Sequence, residues 1–530
     1  MSNNQTIFNN ATLYFHNATA GVNSEQIPLP ISDSKFGILK LDAVITTLCE
    51  ECQEFVFTVD RSGSMSDQCS DKRSKMQHTL HTLKNMIAYF KDNSSIKAII
   101  SINTFDNIVE SVLGRTIVTK EKFQDIIESI DTIIPRGSTN IEKALNETNH
   151  FISQIKKSFP DHTINHIFMT DGEATMGNKD HQILASIVDR SVTNTFIGFG
   201  IDHDSLLLNT ISSGENSSYY FVDKIENAGL VYGEILHSIL YKLLKNVVIN
   251  IENGLIYDFK NNLWVSSLSV GDIVSESSKI YNIVSSSPEE CIATLNAKRV
   301  LDLSEIKISI KGEIRDEDFT KYIYRQRTLQ QLYIVNDFLK RKNDKHYSTF
   351  TLFTFRDNET DDNKPESFRE EENKIKIDLI NFMDEMKDYM MGNRLMEDNF
   401  MKNLCDDIYI CHRTFTTRYG SMYVGARQTS QGTQRCYTVT NTPIEKPSAP
   451  RLARHIANSN LYFSNIQNLD QENEDFMKHE VSGFDDAPYL TPGSSRLMRE
   501  ISSSNRQDTK VSSKDLYYIS SDSEKEELHL

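Results

Sequence analysis

Several residue types that mark particular protein classes are scarce in this chain. Its 530 residues include only seven cysteines, an odd and scattered set that gives no disulfide framework and leads us to expect a reducing compartment. Cys49 and Cys52 form a CxxC, but no second pair lies at zinc-ribbon distance and Cys69 falls in another loop, so they read as unligated thiols. Positive charge is also short: 57 Lys and Arg against 74 Asp and Glu leave a formal charge of -17. That balance argues against a nucleic-acid partner, because phosphate binders display a basic face; cations or basic partners fit better. No apolar run approaches the roughly 20 residues of a membrane span. The start "MSNNQTIFNNATLYF" has neither the basic opening nor the apolar middle of a secretory signal, so an intracellular, cytoplasmic location is the expectation. Glycine (21) and proline (11) are few beside the many Asn, Ile, Lys, Asp and Ser, a bias that an AT-rich genome alone would produce.

A chain of this length exceeds one ordinary core, so two or three domains are expected. From Glu54 to about Leu244, apolar strand candidates ("EFVFTVD", "IKAIISINTF", "TINHIFMTD", "TNTFIGFGI", "SYYFVD") alternate with amphipathic helical stretches, the last being "AGLVYGEILHSILYKLL". This predicts an α/β fold with a doubly wound, mostly parallel, Rossmann-like sheet covered on both faces. "NIVESVLGRTIV" reads as an antiparallel edge strand. From Asn246 to about Ile314 the period changes to two, which predicts short antiparallel strands and a β-sandwich-like domain. The strand-like pieces of residues 1–49 are expected to complete that second sheet, with the alternating domain inserted between them. Residues 316–405 read as helical and 406–440 as an irregular connector. Residues 441–530 read as an acidic, Ser-rich disordered tail, with "DDAPYLTPGSSRLMREIS" as a short interaction motif.

The stretch "FVFTVDRSGSMSD" ends a strand in Asp60, Ser62 and Ser64, so three oxygen side chains gather at a strand's carboxyl end, where open parallel sheets bind ligands. A second strand ends likewise in "MTDGE" at Asp171, and between the two "PRGSTN" presents Thr139 just before a helical pattern. DxSxS alone is a weak signal; with Thr139 and Asp171 in this context it resembles the von Willebrand factor type A (VWA) domain with its metal-ion-dependent adhesion site. The resemblance spans about residues 50–245 and implies a metal held by Asp60, Ser62, Ser64, Thr139 and Asp171. The serines and the threonine would act directly, and the aspartates directly or through water. Hard oxygen donors suit Mg2+, with Mn2+ or Ca2+ as alternatives. Two carboxylates leave a dication formally neutral and still electrophilic, and the family uses such an ion to engage a partner's Asp or Glu.

The expected function is therefore a non-enzymatic, metal-dependent protein-binding module. The alternatives are a structural subunit of a larger assembly with a purely stabilising metal and, less supported, a Mg2+-dependent hydrolase using Glu173, the one spare carboxylate evident beside the site. His162 and His166 have i, i+4 spacing but straddle the approach to a strand, so they read as surface or packing residues. Asp202 and Asp204 read as loop and helix-capping groups. Trp264 reads as a core anchor of the β domain.

Overall fold

Every residue of "QEFVFTVD" is buried, as are all eight of "AIISINTF", which is what a strand covered on both faces requires. The computed structural model describes residues 7–17, 34–45, 52–69, 72–172, 174–200, 203–214, 216–222, 228–349, 366–417, 419–436 and 487–507. The chain opens with β1 (Phe8–His16) and β2 (Lys35–Ala43), an antiparallel pair. There follow β3 (Gln53–Asp60), α1 (Lys75–Asp92), β4 (Ala98–Phe105), β5 (Val109–Ile117), α2 (Phe123–Asp131), α3 (Ile141–Ser158), β6 (Thr163–Thr170), α4 (His181–Ile187), β7 (Thr193–Phe199), α5 (Ser205–Ser212), β8 (Ser217–Val222) and α6 (Ala228–Leu240). The sheet order is β5-β4-β3-β6-β7-β8; all neighbours are parallel except β5, which runs antiparallel on the edge.

Two cores sandwich this sheet. On one face Phe55, Phe57 and Val59 meet Met86 and Phe90 of α1 and Tyr232, Ile235 and Leu236 of α6. On the other, Phe105, Phe168 and Phe196 meet Leu145 of α3, Leu184 of α4 and Leu207 of α5. Local capping sets where the helices begin. Ser74 and Gln77 form a capping box that opens α1, and the Asn140 side chain accepts from the Lys143 amide to open α3. Both helix starts therefore lie at the strands' carboxyl ends, next to the predicted site.

The second sheet adds β9 (Lys242–Glu252), β10 (Leu255–Asp258), β11 (Leu263–Val265), β12 (Ser267–Val274), β13 (Ser278–Ser285), β14 (Ile292–Arg299) and β15 (Glu305–Arg315). Its order is β11-β10-β13-β2-β1-β15-β14-β9-β12, so β1 and β2 sit at its middle, β1 parallel to β15 and β2 antiparallel to β13. Leu13, Phe15, Leu39 and Leu41 share a core with Val247, Ile249 and Leu295. Trp264 is half-buried, 5.3 Å from the Tyr257 ring, and packs on Phe36, Val284 and Phe319.

The helical region comprises α7 (Thr320–Thr349), α8 (Glu366–Gly392), α9 (Asn399–Thr414), α10 (Gly420–Thr433) and α11 (Pro492–Gln507). Among the described residues no helix is long and apolar enough to cross a membrane.

Three expectations are corrected. The helix expected to reach Leu244 stops at Leu240, because Lys242 and Leu244 pair with Val274 and Ile273 of β12 and the ladder takes the backbone. Residues 406–440, expected to be an irregular connector, hold the end of α9 and all of α10. The sequence of α10, "GSMYVGARQTSQGT", is rich in poor helix formers; burial overrides propensity, with Met422 and Tyr423 packed against the α/β core and Val424 against the helical one. Within 441–530, expected to be disordered, α11 lays Leu497 and Ile501 into the core beside α6.

Candidate metal centre

Asp60 is the last residue of β3 and fully buried. Its Oδ1 accepts from the Ser62 amide at 2.7 Å, which turns the chain sharply after the strand, and its Oδ2 accepts from Thr170 Oγ1 at 2.6 Å. The turn continues as a single 3-10 turn over Gly63–Ser66, bringing Ser62 Oγ within 3.1 Å of Ser64 Oγ. Ser64 Oγ in turn donates to Asp171 Oδ1 at 2.8 Å. Asp171 follows β6, the strand paired with β3, so adjacency in the sheet brings the two aspartates together.

Thr139 arrives from the third loop. The Gly63 amide donates to Gly137 O at 3.1 Å and the Arg136 amide to Arg61 O at 2.6 Å, tying that loop to the serine turn. Gly137 takes a left-handed φ of +71, and a Cβ there would stand 2.9 Å from Asn107 Oδ1, so the close approach requires glycine. The Thr139 amide donates to Thr175 Oγ1 at 2.8 Å, and its carbonyl accepts from the Thr175 and Met176 amides. Gly172 joins the set: a Cβ built on it would lie 3.6 Å from Ser64 Oγ and 3.7 Å from Thr139 Oγ1. The two hydroxyls therefore flank one glycine, at distances where a Cβ would make ordinary van der Waals contact with both. All five predicted site residues thus converge; Ser64 is half-buried, while the other four are buried.

The electrostatics fit a hard cation. Burial pushes Asp60 up to about 6, the Asp171 charge adds to this, and the hydrogen bonds from Thr170 and Ser62 oppose it. Among the described residues no lysine, arginine or histidine pairs with Asp60, which leaves a buried carboxylate short of a counter-charge. Nor do three or more His, Cys, Asp or Glu gather anywhere among the described residues as a metal cluster. An ion bound here would need the three hydroxyls as well as the two carboxylates, and those hydroxyls are in place.

Three features of the site were not singled out in the sequence. Thr170 holds Asp60 Oδ2, and its position directly before Asp171 was the available signal. Asp106 binds two loop arginines, Arg61 Nε at 3.0 Å and Arg136 Nε at 2.9 Å, bracing the loops that carry Ser62 and Thr139. Burial would raise Asp106, but the Ile108 amide and the two guanidinium groups hold it below the usual carboxylate range. Lys75, the first residue of α1, donates from Nζ to Asp171 Oδ2 at 2.7 Å.

The remaining candidates stand elsewhere. His166 is buried in β6 against Asn194 Oδ1 and Thr58 Oγ1, and burial lowers it to about 4; His162 meets Glu54 at 2.7 Å. Both pack the structure. Asp204 caps α5 through the Leu207 amide. Glu173, Asp202 and Cys49 lie outside the described residues.

Residues 54–233 match the family model described as von Willebrand factor type A domain, so the chain carries a VWA domain over that span. A search of curated proteins gave no match. Among solved structures, the ArnB paralog VWA2 from Sulfolobus acidocaldarius is 13% identical, covers 76% of this chain and 94% of its own, and has a TM-score of 0.45. A von Willebrand factor type A protein from Catenulispora acidiphila is 14% identical over 65% of this chain and 84% of its own, at 0.44. Proximal thread matrix protein 1 from the mussel byssus, with a zinc-occupied MIDAS motif, is 18% identical over 34% and 44%, at 0.26. Likeness at these TM-scores carries no further argument.

Proposed function

We propose that the VWA domain is a metal-dependent protein-binding module, in which Mg2+ held by Asp60, Ser62, Ser64, Thr139 and Asp171 engages an Asp or Glu carboxylate of a protein partner. The observation that carries this reading is the buried Asp60 carboxylate, short of a counter-charge and joined through Ser62 and Ser64 to Asp171. A hard divalent ion supplies an electrophilic centre with an exchangeable water position. Thr170 and the Ser62 amide aim the Asp60 oxygens, and the Thr175 hydroxyl and amide fix the Thr139 backbone. The arginine pair on Asp106 keeps the loops in register. The role is binding, not catalysis, and it is exercised inside the cell.

The test is calorimetric titration with Mg2+ paired with affinity capture from the native cell in Mg2+ and in EDTA. Asp60→Ala and Asp171→Ala should each abolish binding of the ion, and Thr139→Ala should weaken partner capture more than it lowers the melting temperature. Wild-type affinity in both aspartate variants would refute the site. Mg2+-dependent melting with capture unchanged by EDTA would instead favour a structural subunit with a purely stabilising metal.

A further inference from the structure

Asp171 is committed on both oxygens: Oδ1 accepts from Ser64 at 2.8 Å and Oδ2 from Lys75 Nζ at 2.7 Å. The lysine is built into place. The Lys75 amide donates to Asp67 O at 3.0 Å, fastening the start of α1 to the end of the serine turn, and the capping box of Ser74 and Gln77 fixes the helix's first turn. Its stem passes the left-handed turn at Gly200, where a Cβ would lie 3.8 Å from Lys75 Cε. The side chain of Lys75 is 11% exposed and that of Asp171 fully buried, while Asp67, 3.9 Å from the same ammonium, is largely exposed. An ammonium therefore holds one of the two carboxylates that the metal-binding reading assigns to the ion.

We propose that Lys75 is an internal counter-cation of the site, which opposes a divalent ion at Asp171 and so sets a higher metal concentration at which the site loads. The inference rests on the metal-binding reading above. The two buried carboxylates against one ammonium leave the interior of the site one net negative charge; Asp67 is left out of this count because its side chain is 65% exposed and screened by water. A dication turns that to one net positive charge, whereas the same ion without the lysine would leave a neutral centre. Like charges held together behind low-dielectric walls repel, so the lysine weakens the hold on the ion. The charge that weakens loading strengthens partner capture, because an incoming carboxylate meets a net cationic centre.

Full-length wild-type, Lys75→Met, Lys75→Gln and Lys75→Arg proteins would be titrated with Mg2+ by calorimetry and with Mn2+ by electron paramagnetic resonance. Lys75→Met and Lys75→Gln should bind either ion about tenfold more tightly or better, the size expected when a unit like charge leaves a partly screened site. Lys75→Arg, which keeps the charge, should stay near wild type. Acetate, added to the Mn2+-loaded proteins and read by water-proton relaxation, should displace bound water less readily in the two neutral variants. A lysine that merely packs would give no gain in ion affinity on removal. Unchanged or weaker ion binding in both neutral variants, with wild type binding normally, overturns the proposal alone. No binding by any form, wild type included, overturns the metal-binding reading and this proposal with it.

Discussion

Asp60→Asn should stabilise the metal-free protein while destroying its response to Mg2+. The Asp60 carboxyl is raised from 3.8 to about 6, chiefly by burial. At pH 7.5 the folded chain must therefore ionise a group that prefers its proton, and a rise of that size corresponds to a penalty on the order of 3 kcal/mol. The asparagine carries no charge and can keep the geometry: Oδ1 still accepts from the Ser62 amide, and Nδ2 can donate to Thr170 Oγ1 if that hydroxyl reverses. Allowing about 1 kcal/mol for the weaker hydrogen bonding leaves a gain of about 2 kcal/mol, or roughly 4–8 °C for a unit of this size. The sign follows from linkage. A raised acid stabilises the fold when protonated, so the wild type loses that advantage as pH rises through about 6 and regains it as pH falls towards 4. Melting curves in EDTA at pH 7.5 and pH 4, and at pH 7.5 with Mg2+, would measure this. The variant should lead at pH 7.5 in EDTA, converge on wild type at pH 4 and show no Mg2+ shift. A variant no more stable than wild type at pH 7.5, or equally ahead at pH 4, would refute the account of Asp60 as an uncompensated buried charge.

Gly233→Ala should loosen α11, since the added Cβ would stand 2.4 Å from Met498 Cα, a backbone atom that can yield only if the helix shifts. We expect a loss of about 1–3 kcal/mol, and limited proteolysis should cut near α11 sooner than in wild type; equal cleavage would contradict the contact. Arg427→Met should cost about 3–5 kcal/mol, because it strips the buried Asp407 of the guanidinium 2.6 Å away. Urea unfolding measures this, and a further change to Asp407→Leu should restore part of the loss if the stranded charge is the cause.

The meeting of the five proposed site residues was legible because a short pattern records where each one stands. An aspartate ends an apolar run, serines alternate after it, and a threonine and a second aspartate close neighbouring loops. Runs such as "AIISINTF" were equally plain, since a strand buried on both faces is mostly apolar, and the few polar residues it carries here, Ser101, Asn103 and Thr104, do not hide the pattern. The partners of those residues were not legible. Lys75 reads as an ordinary first-turn residue of an amphipathic helix, and only the direction of its side chain, set by three loops meeting, puts it on Asp171. The same holds for α10, whose Gly, Ser and Thr content hides a helix stabilised from outside. In α6 the helical apolar pattern runs on into β9, and only the pairing partners in β12 and β14 decide where it stops.

The α/β unit is fastened to the second sheet through two chain crossings, one leaving β2 at Ala43 and one entering β9 at Lys242. During synthesis its strands and helices can assemble from one contiguous stretch. The strands β1 and β2, by contrast, must wait for β13 and β15 to emerge before they gain their neighbours on either side. A lesion in those late strands would leave β1 and β2 with exposed hydrogen-bonding edges, a condition that invites aggregation.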